Sequence, residues 1–301
     1  MWNSAPPPPV PLRLKLSQPS RDEYSPDKDA DDMLARLKEE VVSAMKACAS
    51  GFDAEEGVRR QWDECVARVK AMLPDHAPCA CVKESFRVLA LVALRMYTAA
   101  APCARTEFAV YLVLNRFLRE RTVALRDEGV RDQALVKEPF APWNNFLWFL
   151  ILGIRAIRYG DEDDKRETGT IPEQVYHGVP AEAVSALMND GNPKLFRSVT
   201  SASMDMHKAA EGGRTCVVLK GAGPRLCGVA QVSAHSEERE YLFEPMTLFD
   251  SPVDPLKADA VAVPLELTLV ERERECQSCW LLDLNEDFMG SLTMESGHES
   301  I

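Results

Sequence analysis

Apolar residues recur at helical spacing up to about residue 160 and at strand spacing after it, and this one change of period constrains the fold more than any other feature. In 31–50 the apolar positions are Met33, Leu34, Leu37, Val41, Val42 and Met45, spaced as one face of a helix requires. The same period marks 54–73, 83–99, 105–121 and 143–159, the last entered through Pro139 and Pro142, which suit a helix start and not its interior. Beyond the charged, glycine-containing stretch 160–169 come short runs rich in Val, Leu and aromatics at 174–179, 215–220, 226–233, 239–243, 260–270 and 280–284. Turn residues such as Gly221, Gly223 and Pro224 separate them, and 204–210 reads as one short helix. Helices first and strands later in one chain predict an α+β fold with a largely antiparallel sheet.

With 301 residues, 46% of them apolar, the chain can bury a core, which excludes global disorder. Residues 1–29, rich in Pro, Ser and charge, read as a disordered or polyproline arm. Residues 30–82 then form a helical hairpin extension, 83–285 the main domain and 286–301 an acidic flexible tail. No secretory signal is read at the start, because four consecutive prolines stand where an apolar helix is needed. The longest apolar run, 146–154, is far short of the roughly 20 residues of a membrane span. Nine cysteines, an odd number with several in apolar stretches, fit a reducing, cytoplasmic setting. Cys276 and Cys279 have ligand spacing, but Cys79 and Cys81 do not and no His pair accompanies them, so no metal is expected.

Charge narrows the partner classes. Residues 236–301 hold sixteen acids against four Lys and Arg, so this segment alone sums to the chain's whole net charge of −12. Such a surface repels a phosphate backbone, and neither nucleic acid nor membrane is an expected partner. A cationic side chain or a basic protein fits better.

The residues able to do chemistry gather in the stretch VSAHSEEREYLFEP at 232–245. If a strand starts at Glu238, then Glu238, Glu240 and Leu242 share one face while Arg239 and Tyr241 share the other. Two carboxylates then lie about 7 Å apart on one side of a strand, as a solvated edge or as a site. Two upstream stretches bear on that choice. Val175-Tyr176-His177-Gly178-Val179 is strand-like, and Ser198-Val199-Thr200-Ser201-Ala202-Ser203 is a hydroxyl-rich strand leading into a short helix.

In this order, followed by Glu238-Arg239-Glu240 before an apolar pair, these stretches resemble the arginine-specific mono-ADP-ribosyltransferases. The resemblance covers about residues 85–275 and takes in Tyr97-Thr98, Tyr111, Asn115, Leu118-Arg119, Pro139-Phe140 and the turn and strand at 243–249. It implies a helical lobe followed by a two-sheet core, with NAD as the substrate in a cleft between the sheets. Trp143, Phe146, Trp148 and Phe149, at helical spacing, read as core and not as a nicotinamide box.

Carried over by position, the resemblance makes Glu240 the catalytic carboxylate and Glu238 the one that receives the target guanidinium. Ser201 and Ser203 match the first and last residues of a Ser-Thr-Ser motif with Ala202 in the middle, and Ser201 would brace Glu240. The loop 234–237 would present the target. His177, with Gly178 beside it, stands where the family has the arginine that clamps NAD. A His-Gly pair occurs there in the diphtheria-toxin and poly-ADP-ribose polymerase branch, where the imidazole binds the adenine ribose. That branch's companion tyrosine is Ser201 in this chain. The implied activity is NAD-dependent ADP-ribosylation of protein arginine; the changes at His177 and Ala202 keep open a degenerate member that serves as a binding module. His177, Ser201 and Glu240 should converge in one cleft.

Overall fold

The computed structural model describes residues 16, 18–73, 82–127, 140–160, 172–180, 183–184, 194–211, 214–220, 226–235, 240–245, 247–250 and 265–269. Glu238, the strand expected at 280–284, both close cysteine pairs and the tail 286–301 lie outside them.

Five helices come first: α1 (Ala30–Cys48), α2 (Glu55–Met72), α3 (Glu84–Thr98), α4 (Val110–Asp127) and α5 (Asn144–Gly160). The α1 start is set by Asp29, whose carboxylate accepts from the Asp31 N–H at 2.7 Å, while Asp31 and Asp32 complement the helix dipole. The helix expected at 105–121 starts later than its apolar period suggested, because Thr106–Phe108 forms a separate 3₁₀ turn before α4. In α3 nearly every residue from Phe86 to Thr98 is buried, so it is the central helix of the lobe. Gly153 lets α5 close on it: a Cβ there would lie 2.7 Å from Leu94 Cδ1 and 2.9 Å from the Ala90 carbonyl oxygen. Trp143, Phe146, Trp148 and Phe149 are core residues.

Within the segment read as a free arm, Leu16 and Tyr24 are buried in this same core. The Tyr24 ring packs 5.3 Å from that of Phe149, and its hydroxyl donates to Glu40 Oε1 at 2.9 Å. Asn145 Nδ2 donates to the other Glu40 oxygen at 2.9 Å, and burial raises the Glu40 carboxyl despite both partners. One aromatic with a satisfied polar tip docks a stretch whose composition alone reads as unstructured.

The strands are β1 (Gln174–Val179), β2 (Lys194–Phe196), β3 (Thr200–Ser203), β4 (Thr215–Lys220), β5 (Cys227–Gly228), β6 (Glu240–Phe243), β7 (Thr247–Asp250) and β8 (Leu265–Leu269), with α6 (Met206–Ala210) between β3 and β4. Their order is β2-β7-β8-β4-β1-β3-β6-β5, antiparallel throughout except for β4 beside β8. The α+β class, with helices first and a largely antiparallel sheet, is therefore present. One joint divides the sheet. β1 and β3 meet at a single register pair, Tyr176 opposite Ser203, so β2-β7-β8-β4-β1 and β3-β6-β5 are joined by a short ladder.

The two faces serve different cores. Val199, Cys227, Val229, Val232 and Leu242 join the helical-lobe core, whereas Val175, Val179, Ala202, Val217, Leu219, Leu226, Phe243 and Phe249 form a second one. Alternation in β6 sends Leu242 to the first core and Phe243 to the second.

The strand expected at 226–233 ends early. Only Cys227 and Gly228 pair with β6; the chain then turns, with the Val232 and Ser233 N–H groups both donating to the Val229 carbonyl at 2.9 and 2.6 Å. The physical reason is that Val229 and Val232, three apart, both point into the helical-lobe core, a spacing that suits a turn and not strand alternation.

Candidate active site

Ser203 pairs with Glu240 and Ser201 with Leu242, so Ser201, Ser203, Glu240 and Leu242 share the face turned to the helical lobe. Leu242 is fully buried and anchors β6, while Glu240, one step nearer the strand start, is half-buried and Ser201 is exposed. The Ser201 hydroxyl donates to Glu240 Oε1 at 2.6 Å, a charge-assisted bond that fixes the carboxylate. A second hydroxyl, Ser233 Oγ, lies 3.5 Å from Oε2. Sequence reasoning did not single out Ser233, because its turn was read as strand.

The helical lobe positions β3. Tyr97 Oη donates to the Val199 carbonyl at 3.2 Å, and Asn115 Nδ2 reaches both the Tyr97 hydroxyl (2.9 Å) and the same carbonyl (3.1 Å). Burial is the main reason the Tyr97 phenol is held far above its ordinary range; Asn115 opposes it, and the nearby Glu240 charge adds to it. Tyr97 and Asn115 therefore tie the lobe to the strand that carries Ser201. At the far end of β6, Arg155 of α5 forks onto Glu244, with Nε at 3.0 Å from Oε1 and Nη2 at 2.8 Å from Oε2.

His177 meets the site differently from the expected convergence. Its pairing with Val217 puts the side chain on the face of Val175 and Val179, the second-core side, where the ring lies edge-on to Phe196 with centroids 5.6 Å apart. A link toward Glu240 runs through Ser201, whose carbonyl oxygen lies 2.6 Å from His177 Nδ1. A carbonyl accepts only, so Nδ1 carries the proton and Nε2 is an acceptor. The ring thus supplies a bond across the joint where the β1–β3 ladder stops.

Burial pushes the His177 imidazole down to about 4, the Ser201 carbonyl opposing and the nearby Arg214 charge assisting. The folded chain therefore prefers the neutral ring. Its contribution to stability is complete above the ordinary value of 6.5 and is lost as pH falls toward 4. Allowing for partial exposure, about 2 kcal/mol should disappear over that interval. Urea titrations at pH 7 and pH 4 should show it, with a shallower pH dependence in His177→Asn; equal slopes in the two proteins would contradict it.

Two other sequence candidates have structural partners. A Cβ on Gly178 would lie 1.9 Å from the Ala209 carbonyl oxygen, so glycine is needed for α6 to pack on β1. Ser203 Oγ accepts from the Asp205 N–H at 3.0 Å, and Asp205 in turn caps α6 by accepting from His207 N at 2.8 Å. Among the described residues no cluster of His, Cys, Asp and Glu could hold a metal ion, and no helix is long and apolar enough to cross a membrane.

No family model matches the chain, and no curated protein matches it significantly. Among solved structures it is similar to the ADP-ribosyltransferase HopU1 of Pseudomonas syringae pv. Tomato DC3000, at 14% identity and a TM-score of 0.47 over 78% of this chain and 97% of that one. It is similar also to the eukaryotic mono-ADP-ribosyltransferase ART2.2, at 13% identity and a TM-score of 0.45 over 85% and 93% of the two chains. A third similar structure is the type III effector XopAI of Xanthomonas axonopodis pv. citri, at 14% identity and a TM-score of 0.44 over 80% and 96%.

Proposed function

We propose that this protein is an NAD-dependent mono-ADP-ribosyltransferase that modifies arginine side chains of proteins. The observation that carries the reading is the 2.6 Å bond from Ser201 to Glu240 on an accessible strand face, made by the two residues that the motif order singles out for it. Breaking the bond between ribose and nicotinamide develops positive charge on the sugar, and a carboxylate already held in place stabilises that charge without reorganising. Glu240 is the group for this role, with its ribose-facing orientation set by Ser201. Glu238, two residues earlier, would receive the acceptor guanidinium, a planar fork that a carboxylate matches with two parallel bonds.

One observation favours a second reading. His177 lies on the sheet face opposite Glu240, and its Nδ1 is committed to a main-chain carbonyl, so this position supplies no charged fork beside the carboxylate. A chain with so weak a grip on the pyrophosphate would keep the fold as a binding module.

Incubation with labelled NAD and agmatine, a small guanidine acceptor, separates the readings. Transferase activity predicts nicotinamide release together with labelled agmatine, whereas no NAD consumption by the wild type favours the binding module. In Glu238→Gln, nicotinamide release should persist while agmatine labelling falls about 100-fold. Equal loss of both would defeat the division of labour between the two glutamates.

A further inference from the structure

We infer that Arg95 and Thr98, at the C-terminal end of α3, are positioning residues that fix the turn from which the acceptor-facing loop departs, so that they govern transfer to the acceptor more than cleavage of NAD. The acceptor part of this inference rests on the transferase reading above.

The contacts converge on one short segment. Arg95 Nη1 donates to the Val232 carbonyl at 3.0 Å and to the Ser233 carbonyl at 3.1 Å. One residue further, the Ala234 N–H donates to Thr98 Oγ1 at 3.0 Å, and that hydroxyl donates back to the Arg95 carbonyl at 3.1 Å. Val232 and Ser233 are only 1% and 3% exposed, so water cannot readily replace these donors. The turn is also tied from within, by the two bonds to the Val229 carbonyl, and to the catalytic strand, because the Val229 N–H donates to the Glu240 carbonyl at 3.0 Å.

Past the clamp, the Ser233 hydroxyl accepts from the His235 N–H at 3.0 Å and lies beside Glu240 Oε2. The segment leading to Glu238 thus starts from a point held by the helical lobe. Glu240 has a separate brace in Ser201, on another strand. This separation lets the two steps respond differently. Loosening the clamp frees the turn through His235, three residues before Glu238, and leaves the Ser201–Glu240 bond in place.

The test compares wild type with Arg95→Met, Arg95→Lys and Thr98→Val, by amide hydrogen exchange over 229–235 and by kinetics with labelled NAD and agmatine. Arg95→Met should speed exchange at Val232, Ser233 and Ala234, raise KM for agmatine about ten-fold and leave nicotinamide release to water within about three-fold. Arg95→Lys, which keeps a charged donor without the fork, should recover part of the acceptor KM. Thr98→Val, nearly isosteric, should speed exchange at Ala234 above all. Equal falls in hydrolysis and transfer, or unchanged exchange across 229–235 in Arg95→Met, would overturn the inference. A wild type that releases no nicotinamide overturns the transferase reading and with it the acceptor step, while the exchange comparison still decides whether Arg95 and Thr98 hold the turn.

Discussion

Glu240→Gln is expected to lower nicotinamide release, to water and to agmatine alike, about 100-fold or more. The substitution keeps size and shape and removes only the charge. The Ser201 hydroxyl, which donates to Glu240 Oε1 at 2.6 Å, can still donate to an amide oxygen, more weakly, so the local packing should survive. What is lost is the fixed negative charge beside the developing positive centre, an effect that belongs to the transition state and should appear in kcat more than in KM. A thermal melt of the variant provides the control, since an unchanged midpoint assigns the loss to chemistry. A variant that retains activity within about ten-fold of wild type would remove Glu240 from the catalytic role.

Arg155→Met should lower stability by about 3 kcal/mol. The Arg155 and Glu244 side chains are only 16% and 13% exposed, so removing Arg155 takes a close cationic partner from a carboxylate that is largely shielded from water. Methionine retains the length and apolar stem of Arg155 and removes the fork onto Glu244. Glu244 directly follows β6, so the loss should be felt at the strand that begins with Glu240. In a urea titration the midpoint should fall with little change in slope. A loss under about 1 kcal/mol would mean that the Glu244 carboxylate finds water easily and that α5 does not hold this end of the strand.

The candidate site was half legible in the sequence. Ser201 and Glu240 were found because each sits in a run whose residue types and order are unusual, and the structure joins them across 39 residues. His177 was found by the same route, but its orientation was not, since the face a side chain occupies depends on the pairing of β1 with β4 and on where the β1–β3 ladder stops. Ser233 and Arg95 left no local signal, and Thr98 entered only beside Tyr97 in the family resemblance. A hydroxyl in a misread strand and an arginine on a helix look ordinary until a turn 137 residues away is packed against them.

The sequence by itself determined what depends on near neighbours along the chain. Period 3.6 gave α1 through α5 with ends shifted by a few residues, and short apolar runs bounded by turn residues gave β1 and β4 from end to end, because both signals act within a few residues along the chain. Tertiary structure alone decided how these pieces meet. The three-residue β2 is too short to show a period; Val229–Ser233 becomes a turn because its two valines enter the helical core; and Tyr24 docks the stretch 18–29, whose composition gives no local reason to fold. Each of these outcomes is set by contacts distant in sequence, whose free energy exists only once the partner surface has formed.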